Sequence, residues 1–219
     1  MRDRAAKTAL FDALTEGAKA LANGRRAELI DVLAQGERSV EELATEIGQS
    51  VANTSHHLQR LLRSGLVRTR RSGTHIYYAV AGPAVTELWQ AMRAAAEEHA
   101  SGLDRLAQDY LGDRGSLESM TRDELVKRLR AGDVVVLDVR PAAEYDAGHL
   151  PGAISLPIAQ LQDRLGEVTS GAQVVAYCRG PYCVYADDAV RQLTNEGHIA
   201  YRLEDGFPEW AMAGLPVEH

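Results

Sequence analysis

Two cysteines, Cys178 and Cys183, are the residues of this 219-residue chain best suited to covalent chemistry, and only four residues separate them. A secreted disulfide scaffold would carry more cysteines at wider spacing, so two close thiols in an intracellular chain point to thiol reactivity. They lie in Val174-Val-Ala-Tyr-Cys178-Arg179-Gly180-Pro181-Tyr182-Cys183-Val-Tyr-Ala, which reads as a strand, a compact loop and a helix. That order sets Cys178 at the carboxyl end of a parallel strand, where α/β folds place ligands. A tight loop feeding a helix turns successive backbone N–H groups toward one point. This cradle, the helix dipole and Arg179 would favour thiolate over thiol at Cys178. A thiolate attacks a sulfane sulfur, and the same N–H groups can then hold the anionic persulfide. The competing reading of Cys178 is a buried structural cysteine. Cys183 has two readings as well: a small residue in the first turn of the next helix, or a resolving thiol. A resolving thiol would attack the Cys178 persulfide and leave a disulfide or an inserted-sulfur bridge.

A second set of residues suits a polyanion. The net charge is −7, yet residues 1–112 balance at 14 Lys/Arg against 14 Asp/Glu, and residues 113–219 hold the whole deficit, 10 against 17. From Ile47 to Thr86 there is no acidic residue, while Arg60, Arg63, Arg68, Arg70, Arg71, His56, His57 and His75 all fall there. An acid-free basic stretch in an acidic protein is an electrostatic footprint for nucleic acid. On a helix from Ser50 to Arg63 the apolar stripe is Val51, Leu58, Leu61 and Leu62. The opposite side carries Asn53, His56, Gln59, Arg60 and Arg63, with Ser50 and Ser55 near the amino end. Arg70 and Arg71 fall at the tip of a hairpin, placed for phosphate or minor-groove contact.

The elements that must position these residues fall into two halves. A helix is expected from Asp3 to Leu21 and another from about Arg25 to Ala34, stopped by Gly36. Ser39 and Glu42 form a capping box for a short helix to Ile47. The Ser50–Arg63 helix follows, and then two strands, Leu66–Arg71 and His75–Val80, around a Ser72-Gly73 turn. Pro83 opens a long amphipathic helix to about Tyr110, with Val85, Leu88, Trp89, Met92, Ala96, Leu103 and Leu106 near one stripe. Two short helices followed by an arginine-rich hairpin predict a mainly α winged helix-turn-helix, whose second helix reads the major groove. After a linker over 112–120, Thr121 and Glu124 open a helix to Arg130. Strands at Val134–Asp138 and Val174–Tyr177 then alternate with helical pieces at 161–165, 185–196 and 209–213. Strands apolar on both faces predict a central parallel sheet covered by helices.

The first half resembles the ArsR family of bacterial repressors over about residues 8–110. The resemblance rests on Ala20-Leu-Ala-Asn-Gly-Arg-Arg, Ser39-Val-Glu-Glu-Leu-Ala, Ser50-Val-Ala-Asn-Thr-Ser-His-His-Leu and Ser64-Gly-Leu-Val. It implies a homodimer, joined through the first and last helices of this half, on a palindromic operator. Many relatives sense metals, but the recognition region here has no cysteine, and adjacent His56 and His57 point apart on a helix; no metal site and no cofactor are expected. The second half resembles a single-domain rhodanese over residues 117–219. That match rests on Leu137-Asp-Val-Arg140, Glu144-Tyr, Gly148-His-Leu-Pro-Gly-Ala153 and Leu203-Glu-Asp-Gly-Phe-Pro-Glu-Trp210. By resemblance Cys178 carries the persulfide, residues 178–183 form the loop, and Asp138, Arg140 and His149 support it structurally. Related phosphatases and arsenate reductases close a longer loop with an arginine where Val184 stands here, which disfavours phosphoryl or arsenyl substrates.

The sequence therefore predicts two domains, 1–111 and 121–219, joined by the 112–120 linker. The function expected is a transcriptional regulator, a repressor, that binds a double-stranded DNA operator as a homodimer. Its rhodanese domain would sense or transfer sulfane sulfur from a small donor such as polysulfide or thiosulfate. The alternatives are a sulfurtransferase tethered to DNA and a sensor of arsenite or another thiophile using Cys178 and Cys183. The polar start Met1-Arg-Asp-Arg carries no apolar leader, and no apolar run approaches the ~20 residues of a membrane span, so a cytoplasmic location is expected.

Overall fold

In a computed structural model the chain divides into two compact units, Met1–Ala94 and Ala95–His219. The structure describes residues 3–168 and 171–219; Met1 and Arg2, part of the polar start, lie outside that range. In the first unit, α1 (Arg4–Leu14), α2 (Glu16–Leu21) and α3 (Gly24–Leu33) precede β1 (Arg38–Ser39), α4 (Val40–Glu46) and α5 (Val51–Arg63). The hairpin β2 (Val67–Ser72) and β3 (His75–Val80) follows, then α6 (Pro83–His99). The Ser39–Glu42 capping box forms as expected, and Ser50 caps α5 by accepting the Asn53 N–H. The strands form an antiparallel sheet in the order β1-β3-β2. Leu29, Ile30, Leu33, Leu43, Leu58 and Leu61 bury completely beneath it, so α3, α4 and α5 share one core.

The structure departs from the expected helices at three places. The helix expected over 3–21 divides at Thr15, whose hydroxyl bonds back to the Asp12 carbonyl. Val51, assigned to the inner stripe of α5, is exposed; Thr54 takes the inner position of the first turn and is buried. The long helix ends at His99, because Gly102 adopts φ +86° and starts α7 (Leu103–Leu111) afresh. A left-handed residue cannot continue an α-helix, and only glycine adopts that conformation cheaply. Leu106 is consequently exposed, while Leu88, Trp89 and Met92 of α6 pack on the core and Trp89 Nε1 donates to Asp31.

In the second unit α7 leads to β4 (Ser119–Met120), α8 (Arg122–Ala131), β5 (Val135–Asp138), α9 (Ala142–Ala147) and β6 (Ile154–Ser155). Then come α10 (Leu161–Arg164), β7 (Gln173–Tyr177), α11 (Tyr185–Asn195), β8 (Ile199–Leu203) and α12 (Phe207–Met212). Among the described residues the strands make one parallel sheet in the order β4-β8-β7-β5-β6. Side chains alternate across it. Leu137, Val174 and Ala176 pack under α11 with Ala189, Val190 and Leu193. Val136, Val175 and Tyr177 face Leu125, Leu203 and Trp210. Both faces are covered, which is why β5 and β7 read as continuous apolar runs. β7 sits inside the sheet and delivers Cys178 at its carboxyl edge.

Candidate thiol site and nucleic-acid interface

The loop after β7 closes on itself through a hydrogen bond from the Cys183 N–H to the Gly180 carbonyl, 3.1 Å. Cys178 is buried and Cys183 half-buried, and the two thiols sit within one hydrogen-bonded cluster. The Cys178 thiol donates toward the Gly180 and Cys183 carbonyls, at 3.9 and 3.7 Å. Burial pushes the Cys178 thiol well above the usual range, and its neighbour Cys183 pushes the same way, while the N–H groups of Ala186 and Gly180 pull it down. Desolvation wins over the cradle in the resting state. Cys183 is held below the usual range: the Cys178 thiol donates to it, burial opposes, and the Arg179 and Tyr185 N–H groups assist. The two thiols are thus shifted in opposite directions, whereas the sequence reading favoured thiolate at Cys178.

Arg179 belongs to the loop but does not act as the expected cation beside Cys178. Its guanidinium turns to Glu144 of α9, with Nε–Oε1 at 3.0 Å and Nη2–Oε1 at 2.6 Å, and packs on the Tyr185 ring. Glu144 is completely buried, so this pair fixes the loop to α9. Pro181 and Tyr182 form the partly exposed crest of the loop. Asp138 and Arg140 are both buried and paired: Arg140 bonds both Asp138 oxygens and the Gly148 carbonyl, and its head lies 4.3 Å from the Phe207 ring centroid. Tyr177 adds a 2.5 Å hydrogen bond to Asp138 and accepts the Leu150 N–H. His149 stacks on Tyr145.

Four supporting residues had no role in the sequence reading. Gly206 lies against the loop so closely that a Cβ there would fall 2.3 Å from the Arg179 carbonyl carbon and the Gly180 nitrogen. Next to it, the Phe207 N–H donates to the Cys178 carbonyl, 3.1 Å. Asp187, in the first turn of α11, is fully buried and pairs with Arg114 and Arg202. Arg114 also donates to the Pro181 and Cys183 carbonyls. The Glu-Asp-Gly-Phe-Pro stretch offered a signal for Gly206; an arginine amid glycines and aspartates offered none for Arg114.

In the first unit α5 presents Asn53, His56 and Gln59 on its exposed side, with Ser55 and Arg60 half-buried. The Ser50 oxygen serves the helix cap, and Gln59 donates to the Tyr78 hydroxyl, 3.2 Å. His57 turns inward, and burial lowers its imidazole pKa. Arg71 is exposed at the wing tip, but Arg70 is engaged: it makes a bidentate pair with Glu37, 2.5 Å at the closest, and lies 5.0 Å over the Tyr77 ring. Glu16 similarly approaches Arg60 at 3.9 Å. Acids from outside the acid-free window thus fold onto two of its arginines. Among the described residues no group of three or more His, Cys, Asp or Glu is placed to hold a metal ion, and no helix is long and apolar enough to cross a membrane.

Comparison with known proteins agrees with both units. The family described as "bacterial regulatory protein, arsR family" matches residues 23–69, and the rhodanese-like domain family matches residues 121–213. A Mycobacterium tuberculosis protein named HTH-type transcriptional regulator Rv0324 is 49% identical over 212 residues, 97% of this chain and 93% of its own length. An Allochromatium vinosum sulfurtransferase is 33% identical over 85 residues, 39% of this chain and 78% of its own. A homodimeric winged helix-turn-helix DNA-binding domain from Mycobacterium bovis, solved by NMR, is 46% identical, covering 46% of this chain and 92% of that one, with a TM-score of 0.42. The chain belongs to the ArsR family of helix-turn-helix transcriptional regulators, in a form that carries a C-terminal rhodanese domain.

Proposed function

We propose that this regulator is a cytoplasmic homodimeric repressor whose rhodanese domain senses sulfane sulfur through a persulfide on Cys178. The observation that carries this reading is the buried thiol pair: Cys178 inside an N–H cradle at the end of β7, with Cys183 beside it and hydrogen-bonded to it. With thiosulfate, Cys178 attacks the outer sulfur, the S–S bond of the donor breaks, and sulfite leaves. The Cys178 proton passes to the Cys183 thiolate, so the products are Cys178–S–S⁻ and a neutral Cys183 thiol. A persulfide is more acidic than a thiol, and the Gly180 and Ala186 N–H groups then hold a charge they could not hold on the bare sulfur. In a second step Cys183 passes its proton to the outer sulfur and attacks the Cys178 sulfur, breaking the persulfide S–S bond, expelling hydrosulfide and leaving a Cys178–Cys183 disulfide.

On the DNA side, Asn53 and His56 read base edges from the exposed face of α5, and Arg71 with Arg68 engages phosphate. The exposed Leu10, Phe11 and Leu14 of α1 form an apolar face suited to a second copy of the chain. A second reading, a sulfurtransferase localised by its DNA-binding unit, draws on the similarity to the A. vinosum sulfurtransferase. Binding to the DNA upstream of its own gene, compared for reduced and polysulfide-treated protein, separates them. The sensor changes affinity on treatment; the tethered enzyme turns over sulfur with no change.

A further inference from the structure

Arg114 lies in the stretch between α7 and β4, yet its side chain reaches the reactive loop. Nε pairs with Asp187 at 2.6 Å, Nη1 donates to the Pro181 carbonyl at 2.7 Å, and Nη2 donates to the Cys183 carbonyl at 3.2 Å. The Cys183 oxygen is a shared acceptor, because the Cys178 thiol also donates toward it, at 3.7 Å. The backbone around Arg114 is tied down as well. Arg191 of α11 donates to the Asp113 carbonyl, Asp113 caps the Gly115 N–H, and the Leu117 N–H bonds the Arg114 carbonyl. We propose that Arg114 is a positioning residue that relays the state of the Cys178 sulfur to the chain segment that follows α7. The inference rests on the reading of Cys178 as the sulfur acceptor and adds the route by which its modification leaves the loop.

The physical argument starts from the shared oxygen. A protonated Cys178 is compatible with a carbonyl aimed at it; an anionic persulfide is not, because it has lost the donor and repels the carbonyl dipole. Either the Cys183 peptide turns away or the Arg114 guanidinium swings toward the new anion. Both movements break the three-pronged arrangement, since one planar fork cannot keep Pro181, Cys183 and Asp187 together once any of them moves. Asp187 does not lose its charge partner in the process, because Arg202 stands 3.3 Å from its other oxygen. The buried carboxylate therefore keeps a charged neighbour when Arg114 leaves, although it loses the hydrogen bond at Oδ2 and its Oδ1 accepts none.

The test uses the full chain, with Arg114→Lys and the charge-balanced double variant Arg114→Gln/Asp187→Asn. Intact mass after polysulfide treatment reports sulfur on Cys178, and anisotropy with labelled operator DNA reports affinity before and after. Expected are sulfur mass still gained by Cys178, reduced-state affinity within about two-fold of wild type, and loss of a response that in wild type is about five-fold or larger. A wild-type-sized response in either variant overturns the relay, and so does a variant that folds but no longer takes up sulfur, since Arg114 would then serve the loop itself. Hydrogen exchange on the unmutated protein gives an independent arm: persulfidation should raise exchange over 112–118 and α7, and unchanged exchange there overturns the proposal. A wild type that gains sulfur but shows no change in DNA affinity refutes the sensor reading instead, and the two failures stay distinguishable.

Discussion

In the proposed mechanism Cys178 and Cys183 divide the work of one nucleophile. Burial raises the Cys178 thiol, so on that mechanism the attacking residue needs a neighbour to receive its proton, and Cys183 lies beside it. Cys178→Ser should therefore take up no sulfur mass. Cys183→Ser should still take up sulfur, but slowly at neutral pH, with a rate that climbs into the alkaline range as the raised Cys178 thiol ionises unaided. Stopped-flow sulfur transfer across pH checks this, and an unshifted profile in Cys183→Ser removes Cys183 from the proton path. Gly206→Ala tests the packing beneath. A Cβ at 2.3 Å from the loop backbone cannot be absorbed by a flexible side chain, so the variant should lose about 1–3 kcal/mol in denaturant unfolding and lose sulfur uptake with it. The place of Cys178 between strand and helix was legible from Val174-Val-Ala-Tyr-Cys178-Arg-Gly-Pro. The thiol's protonation was not, because the balance between desolvation and N–H donors depends on how deep the loop sits. Nor could spacing reveal that Arg179 points to Glu144, since a six-residue helix with a buried glutamate looks polar.

At the scale of elements, the wing shows how a charge window in sequence differs from a charge surface. β3 pairs with both β1 and β2, setting Arg38 opposite Tyr78 and Arg70 opposite Tyr77, so Glu37 arrives beside Arg70 across the sheet. Glu37→Gln should release Arg70 for phosphate, tighten DNA binding at low salt and steepen its salt dependence by about one unit of slope. Arg71→Ala should do the reverse, flattening the slope by about the same amount. Anisotropy titrations over a salt series read both; identical slopes would place the wing off the DNA. The helices were legible wherever caps or glycines punctuate them, as at Ser39, Ser50 and Thr121. They were misjudged where one residue decides continuity: Gly102 divides a stripe that periodicity carries straight through to Leu106, and Thr15 divides another.

For the whole molecule, two units with separate cores share one covalent path, and α6 crosses the boundary between them at Ala94–Ala95. That both units exist, and of which class, could be read from the change from helical stripes to doubly apolar strands. That residues just after α7 are anchored to the sulfur loop could not, because Gly112-Asp-Arg-Gly-Ser has the composition of a free linker and the anchoring is a matter of where one long side chain reaches. A thiol signal in this chain must enter through the second unit, where both cysteines lie, and leave through the first. The most direct test of that account is operator affinity of the full-length protein, reduced and polysulfide-treated, side by side with Cys178→Ser. The account predicts a change of about five- to 150-fold in the wild type and none in Cys178→Ser. Equal affinity of the reduced and treated wild type, with sulfur demonstrably on Cys178, would contradict it.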